Sequence, residues 1–209
     1  MTAHSSKPRE TEDDPNRRSR ILMVAAQEFS QRGRAAVRMD EIARKAKVNK
    51  QLIYYYFGSK SALYTAVLEL MVEESLPMWT EVQDADLAAG IARLIDNPPH
   101  PQIDWLRLLA WEGLEYGGPD EPADIVLHER RVRAYQTEVG LFTRARDAGQ
   151  LVDDIDPEML ALTLFLLNLS VKAVPQVVSM LTGLQADGPE FHARTKAFVN
   201  DLLSRMGPR

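Results

Sequence analysis

Apolar residues along this chain recur at the helical spacings of three and four. No stretch sustains the strict alternation, bounded by hairpin turns, that marks a half-buried strand. The pattern predicts an all-α protein. Leu22, Ala25, Ala26 and Phe29 share one face of a helix that starts near Pro15, with Gly33 suited to its C-terminal cap. Ile42, Ala43 and Ala46 mark a short helix over 39–47, whose first turn holds Asp40 and Glu41 where negative charge complements the helix dipole. Asn49 stands where it can cap a third helix, 50–57. Gly58 and Ser59 end that helix and cap a fourth, which opens at Lys60 and carries Leu63, Val67, Leu68 and Met71 on one side.

Beyond this point the punctuation is Pro77, "NPPHP" at 97–101 and "GGPDEP" at 117–122. Helices are predicted near 84–95 and 102–116, followed by a long one over 122–147 that stops at Gly149. Asp156 and Pro157 supply an N-cap and a first-turn proline for the next, which runs to about Leu181 with a kink at Pro175. Gly188 and Pro189 open the last, bearing Phe191, Phe198, Leu202 and Leu203. The expected architecture has about nine helices: a small N-terminal bundle over 15–60, joined through one helix to a larger bundle within 61–209. Residues 1–14, with little to bury, are expected to form a disordered tail.

Composition narrows the function classes. The 209 residues include no cysteine, which excludes disulfides and thiolate metal sites and suits a reducing cytoplasm. His100 and His128 are isolated and no His/Asp/Glu set has metal-ligand spacing, so neither a metal nor a cofactor is expected. The most apolar window, Met159 to Val171, falls short of the roughly 20 residues a bilayer span needs, and the N-terminus lacks the apolar core of a secretion signal. No membrane association is expected. The formal charge of −5 is unevenly spread: residues 1–60 carry 13 Lys+Arg against 7 Asp+Glu, leaving 12 against 23 in the remainder. A basic end on an acidic body points to one end that meets a polyanion.

That basic end contains "NKQLIYYYFGSK" at 49–60. If 50–57 is helical, Ile53 and Phe57 stand one turn apart and face a small core, while Gln51 and Tyr55 point away and Lys50 and Tyr54 lie on a flank. Three successive tyrosines sweep about 200° of a helix, so they cannot all face one core. With the preceding helix crossing this one, the arrangement is a helix-turn-helix whose second helix fits the major groove. Lys and Gln can hydrogen-bond base edges, and tyrosine hydroxyls can donate to phosphates. The helix start at Ser59 and Lys60 offers backbone N–H groups and an ammonium to another phosphate.

Three pieces in order, "ILMVAAQEFSQRG" at 21–33, "MDEIARKAKV" at 39–48 and "NKQLIYYYFGSKSALYTAVL" at 49–68, resemble the DNA-binding domain of the tetracycline-repressor (TetR) family of bacterial regulators. Tyr54, Phe57 and Lys60 at three-residue intervals carry the likeness most distinctly. The resemblance implies groove-facing roles for Asn49, Lys50, Gln51 and Tyr54, and phosphate contacts for Tyr55, Tyr56 and Lys60. Arg38 and Met39 then open the helix that crosses the backbone, and Arg17, Arg18 and Arg20 sit where family members reach toward the adjacent groove. Two positions depart from the family pattern. Arg38 replaces a capping threonine, and Lys47 replaces the turn glycine, so a lysine has to adopt positive φ where its charge suits a nearby phosphate.

The same resemblance implies that the acidic body binds a small-molecule effector and forms a homodimer. The 156–181 helix is apolar nearly all round and has to be covered on more than one side. Leu160, Leu164, Leu167 and Val171, with Phe191, Phe198 and Leu202 of the last helix, are the candidates for the dimer face. Trp79, Trp105, Trp111, Phe142 and Phe165 are candidates for lining a pocket. Glu112, Glu115 and Asn168 are polar residues on otherwise apolar helices that a ligand could use. The expected function is that of a sequence-specific transcriptional regulator of the repressor type. As a homodimer it would bind a pseudo-palindromic operator and release it when an effector binds. Two rival readings are a helical enzyme and a DNA-binding architectural protein that senses nothing. No nucleophile–base pair, phosphate-binding glycine loop or metal set supports the first, and Glu112 with Glu115 is its one weak carboxylate pair. A sizeable cavity in the acidic domain would count against the second.

Overall fold

A computed structural model describes residues 15–96, 103–116 and 125–207. Among these residues there are ten helices and no strand. The N-terminal unit comprises α1 (Pro15–Ala36), α2 (Met39–Ala46) and α3 (Lys50–Phe57), and α4 (Lys60–Asp84) leads away from it. The remainder is α5 (Leu87–Asp96), α6 (Trp105–Glu115), α7 (His128–Asp147), α8 (Pro157–Ala173), α9 (Pro175–Thr182) and α10 (Pro189–Arg205). The expected tail over 1–14, and His100, lie outside the described residues.

Two apolar cores share α4. Phe29, Ile21, Ile42 and Ile53 have no exposed surface and close the first core together with Leu63, Val67 and Leu68 of α4 and Leu108 of α6. Full burial of each such side chain is worth about 1.5–3 kcal/mol. The second core gathers Val82 at the far end of α4 with Ile91, Leu141, Phe142, Leu151, Leu164 and Leu203. One continuous helix therefore runs from the N-terminal unit into the middle of the larger bundle.

The local signals explain most boundaries. Asn49 accepts from the Leu52 N–H at 2.7 Å, Ser59 from Ala62 at 3.0 Å, and Asp156 from Glu158 and Met159 at 3.0 and 3.2 Å. Gly33 breaks the end of α1 at φ 75°, ψ 160°, a conformation open to glycine. It also lets α6 approach, because a Cβ there would come within 3.0 Å of the Trp111 ring.

Three expectations are corrected. Pro77 does not punctuate: α4 passes through it, losing one backbone hydrogen bond while burial of Val82 anchors the following turns. The long seventh helix starts at His128 rather than 122; Leu127 at φ 58° precedes it, and 122–124 lie outside the described residues. Pro175 does not kink one helix but separates two, α8 and α9, which meet at 101°. A proline disfavours helical dihedrals in the residue before it, and Val174 sits at φ −139°, ψ 53°. This break makes the helices ten rather than nine. No single described helix is long and apolar enough to cross a membrane; α8 and α9 together have the composition but are bent apart.

Candidate DNA-binding surface and effector cavity

The geometry of α2 and α3 follows from which residues they bury. Ile42, Ala43 and Ala46 of α2 share the first core with Ile53 and Phe57 of α3, and Leu52 of α3 is buried as well. Lys47 turns the chain between them at φ 54°, ψ 46°, so the lysine adopts the left-handed conformation expected at the glycine position. The following Val48 N–H then reaches back to the Ala43 carbonyl at 3.0 Å. Arg20 braces the turn from α1, donating to the Ala46 carbonyl at 2.8 Å.

The opposite side of α3 is open. Lys50, Gln51, Tyr54 and Tyr55 are exposed, Tyr55 to 68%. Tyr56 is half-buried, with its ring edge-on between Tyr55 at 5.4 Å and Phe57 at 6.3 Å. The three tyrosines are thus divided between surface and flank. Lys50 is paired with Asp40 of α2 at 3.1 Å, which holds it at the start of α3. Arg38 and Lys47 are exposed beside this face, and the Arg18 guanidinium lies over the Phe57 ring at 5.1 Å. Arg17 is half-buried. Met39 is a correction: its side chain is 6% exposed and belongs to the core, because the first turn of α2 rolls it inward. Lys60 donates to the Ala35 carbonyl at 3.1 Å. Burial, followed by the neighbouring Arg34 charge, lowers its proton affinity. A narrow convex helix face carrying an ammonium, an amide and two phenols matches the donors and dimensions that a major groove accepts.

The larger bundle contains two cavities of about 760 Å3 each, within the range of small-molecule sites. One lies between α4, α6, α7 and α8 and reaches α1. Glu112, Glu115 and Phe165 line it, together with Tyr64, Arg131, Tyr135 and Glu138, which sequence reasoning missed. Glu112 holds Arg131 through two bonds of 2.8 and 2.7 Å. Glu115 pairs with Arg34 at 3.3 Å and accepts from the Ala35 N–H at 3.4 Å, while Arg34 lies over the Tyr64 ring at 5.6 Å. Tyr135 meets Phe165 edge-on at 5.6 Å. Glu138 is 4% exposed, and burial pushes its carboxyl up to about 7. One signal could have found it: Arg131, Tyr135, Glu138, Phe142 and Ala145 fall on one stripe of α7, so the glutamate shares the face of buried residues.

The other aromatic candidates separate. Phe142 has no exposed surface and is core, since α7 turns it into the second cluster. Trp111 packs on Gly33, and Trp79 stands edge-on to Tyr135 at 6.3 Å. Trp105 and Asn168 line the second cavity, where Asn168 donates to the Leu94 carbonyl at 3.4 Å.

The proposed dimer face also needs correction. Leu160, Leu164 and Phe191 are buried in their own protomer, and Leu167 and Val171 pack against its cores. A helix apolar all round gives no phase from sequence. The exposed side of α8 is Met159, Leu162 and Leu166, and Met180 and Leu181 of α9 and Phe198 of α10 are exposed as well. Leu202 is half-buried.

A helix-turn-helix unit on a helical bundle with a ligand-sized cavity defines a one-component DNA-binding regulator. The chain matches the family described as bacterial regulatory proteins, tetR family, over residues 21–67, and the tetracyclin repressor-like C-terminal domain over 86–205. It belongs to the TetR family. It is 37% identical over 169 residues to the HTH-type transcriptional repressor SCO4008 of Streptomyces coelicolor, covering 79% of this chain and 83% of the relative. It is 46% identical over 144 residues to the HTH-type transcriptional repressor NicS of Pseudomonas putida, covering 64% of this chain and 63% of that one. Among solved structures, a transcriptional regulator of Saccharomonospora viridis in complex with choline has a TM-score of 0.69 at 21% identity, over 94% of this chain and all of the other. AibR in complex with isovaleryl coenzyme A and operator DNA has a TM-score of 0.67 at 18% identity, over 92% and 98%. The two solved structures share the fold; the family and its relatives are transcriptional regulators, not enzymes.

Proposed function

We propose that this chain is a cytoplasmic, homodimeric repressor that reads its operator through α3 and releases it when a small molecule enters the cavity between α4, α6, α7 and α8. Residues 15–60 form the reading unit, and 61–209 bind the effector and the partner copy. The observation that carries the reading is the outward face of α3, where Lys50, Gln51, Tyr54 and Tyr55 stand exposed while Leu52, Ile53 and Phe57 are buried behind them. Gln51 and Lys50 suit base edges; the tyrosine hydroxyls, Arg38 and Lys47 suit phosphates. AibR was crystallised with both operator DNA and an acyl-CoA, which supports a ligand response in this fold.

Release has a physical route. The cavity wall contains Arg34 and Glu115, and Ala35 is gripped on both sides, its N–H by Glu115 and its carbonyl by Lys60. The end of α1, the start of α4 and the end of α6 therefore meet beside the ligand space. A ligand that fits better when this junction is rearranged shifts the population toward a spacing of the two reading units that no longer matches adjacent major grooves. Coupling of this kind is typically worth about 1–3 kcal/mol. The exposed apolar side of α8, with Met159, Leu162 and Leu166, is the part of the partner interface this reading favours.

Footprinting on the DNA flanking the chain's own gene tests the proposal. The expected result is one protected, two-fold symmetric site with half-sites about one helical turn apart, and protection that weakens steeply with salt. Uniform, sequence-independent protection would point instead to an architectural protein.

A further inference from the structure

The cavity beside Arg34 already contains two organic cations, and the chain holds both in the same way. Arg34 lies over the Tyr64 ring and pairs with Glu115; Arg131 is clasped by Glu112, with Tyr135 also in contact. Each guanidinium thus meets a carboxylate and a tyrosine among the described residues. Glu138 is a third carboxylate in the same wall, on the α7 stripe one turn beyond Tyr135. Burial is the one influence that perturbs it, and no ion pair or hydrogen bond reaches it among the described residues. Next to it, Tyr135 and Phe165 present a pair of aromatic rings set edge to face. Glu138 is 4% exposed and has no partner among the described residues, yet its carboxylate oxygens are not sealed off and open to the cavity, which marks a position that a ligand is expected to complete.

We propose that this cavity takes an organic cation with an apolar or aromatic body, its charge held by Glu138 and its body by Tyr135 and Phe165. The inference rests on reading the cavity as the effector site and supplies the chemical class of the effector. A carboxylate attracts the charge at short range, and ring faces add a cation–π term that is largest when water is excluded. With Glu112 and Glu115 matched by arginines and Glu158 at the exposed rim, Glu138 is the carboxylate beside the aromatic rings that suits a large, weakly hydrated ion. A hard metal ion would need about six converging oxygens. An anion is disfavoured because the charge of each arginine in the wall is already matched by a carboxylate, which leaves Arg131 Nε as a single unfilled donor. At about 760 Å3 the space admits a ligand of several rings.

Two ions of matched shape and opposite charge test the proposal. Calorimetric titration of the full-length protein with tetraphenylphosphonium chloride and with sodium tetraphenylborate separates charge from apolar bulk. The cation is expected to bind at least about tenfold more tightly than the anion. Glu138→Gln should weaken cation binding by about tenfold or more while leaving the anion unchanged or improved. Phe165→Leu should weaken the cation by a few fold. Circular dichroism and a thermal melt check that each variant is folded, and the two variants fail independently if either does not fold. Equal affinity for the two ions, or full cation affinity in folded Glu138→Gln, overturns the inference. Anisotropy of operator DNA in the same titrations keeps the two readings apart. Operator release by the anion but not the cation refutes the cation assignment and leaves the repressor standing. Cation binding that depends on Glu138 yet never alters operator affinity supports the site and refutes its role as the effector site.

Discussion

Replacing Glu138 by Gln is expected to stabilise the ligand-free protein, and to do so only above mildly acidic pH. The carboxyl starts from an ordinary value of 4.5, and burial raises it to about 7 in the folded chain. The folded state therefore holds this proton more tightly than the unfolded state. The stability contributed by the neutral acid is fully present below pH 4.5, declines as pH climbs from 4.5 to about 7, and is gone above that. Each tenfold change in proton affinity is worth about 1.4 kcal/mol, so the buried carboxylate costs about 3 kcal/mol at pH 8. Glutamine keeps the shape and never ionises. The neighbouring charges on packed elements are already matched, Glu112 by Arg131, Glu115 by Arg34, Glu81 by Arg93 and Glu73 by Arg130, and Glu158 lies at the exposed α8 rim. Urea unfolding followed by circular dichroism, at pH 5 and pH 8 and one protein concentration, measures the difference. At pH 5 the variant should exceed wild type in stability by less than about 1 kcal/mol. At pH 8 the variant should be more stable by up to about 3 kcal/mol, equivalent to a melting point higher by roughly 6–12 °C. A gap that does not change with pH, or a variant less stable at pH 8, would show that Glu138 is not an uncompensated buried acid.

Three further expectations follow from single contacts. Gly33→Ala forces a Cβ to within 3.0 Å of the Trp111 ring at φ 75°, so chemical denaturation should show a loss of about 1–3 kcal/mol. Lys47→Gly relieves the left-handed lysine at φ 54° and should raise stability by about 1 kcal/mol, while anisotropy shows weaker DNA binding at low salt if its charge meets a phosphate. Glu115→Gln removes the carboxylate that pairs with Arg34, and a titration of operator affinity against effector should show the coupling between the two sites reduced by about 0.5–2 kcal/mol.

The reading unit was legible because its signals are local. Asn49, Ser59 and Gly58 occupy cap positions that backbone geometry demands, and the fixed order of short helices leaves a single face of α3 for the core. The left-handed Lys47 was anticipated from the resemblance, because the TetR family carries a turn glycine at that position. The cavity between α4, α6, α7 and α8 was legible only in part. Glu112 and Glu115 stood out as polar residues on an apolar helix, whereas Phe165 was one aromatic candidate among several. Glu138 did not stand out, because α7 is rich in charge ("HERRVRAYQTEVG") and one more carboxylate carries no contrast. Its burial depends on α4 and α8 closing over that stripe, which is a tertiary fact. The phase of α8 was hidden for the opposite reason. With leucines on every side, nothing in the helix itself says that Leu160 and Leu164 turn inward while Leu162 and Leu166 remain exposed.

The most direct measurement is fluorescence anisotropy of the footprinted operator with Gln51→Ala and Tyr55→Ala at one fixed salt concentration, alongside thermal melts of the same samples. Both side chains are exposed, so the melts should match wild type within about 0.5 kcal/mol. Operator affinity should fall by about 1–3 kcal/mol for Gln51→Ala, with non-specific binding scarcely changed, and Tyr55→Ala should weaken operator and non-specific DNA together. Wild-type affinity for the operator in both folded variants would contradict the claim that the outward face of α3 reads DNA.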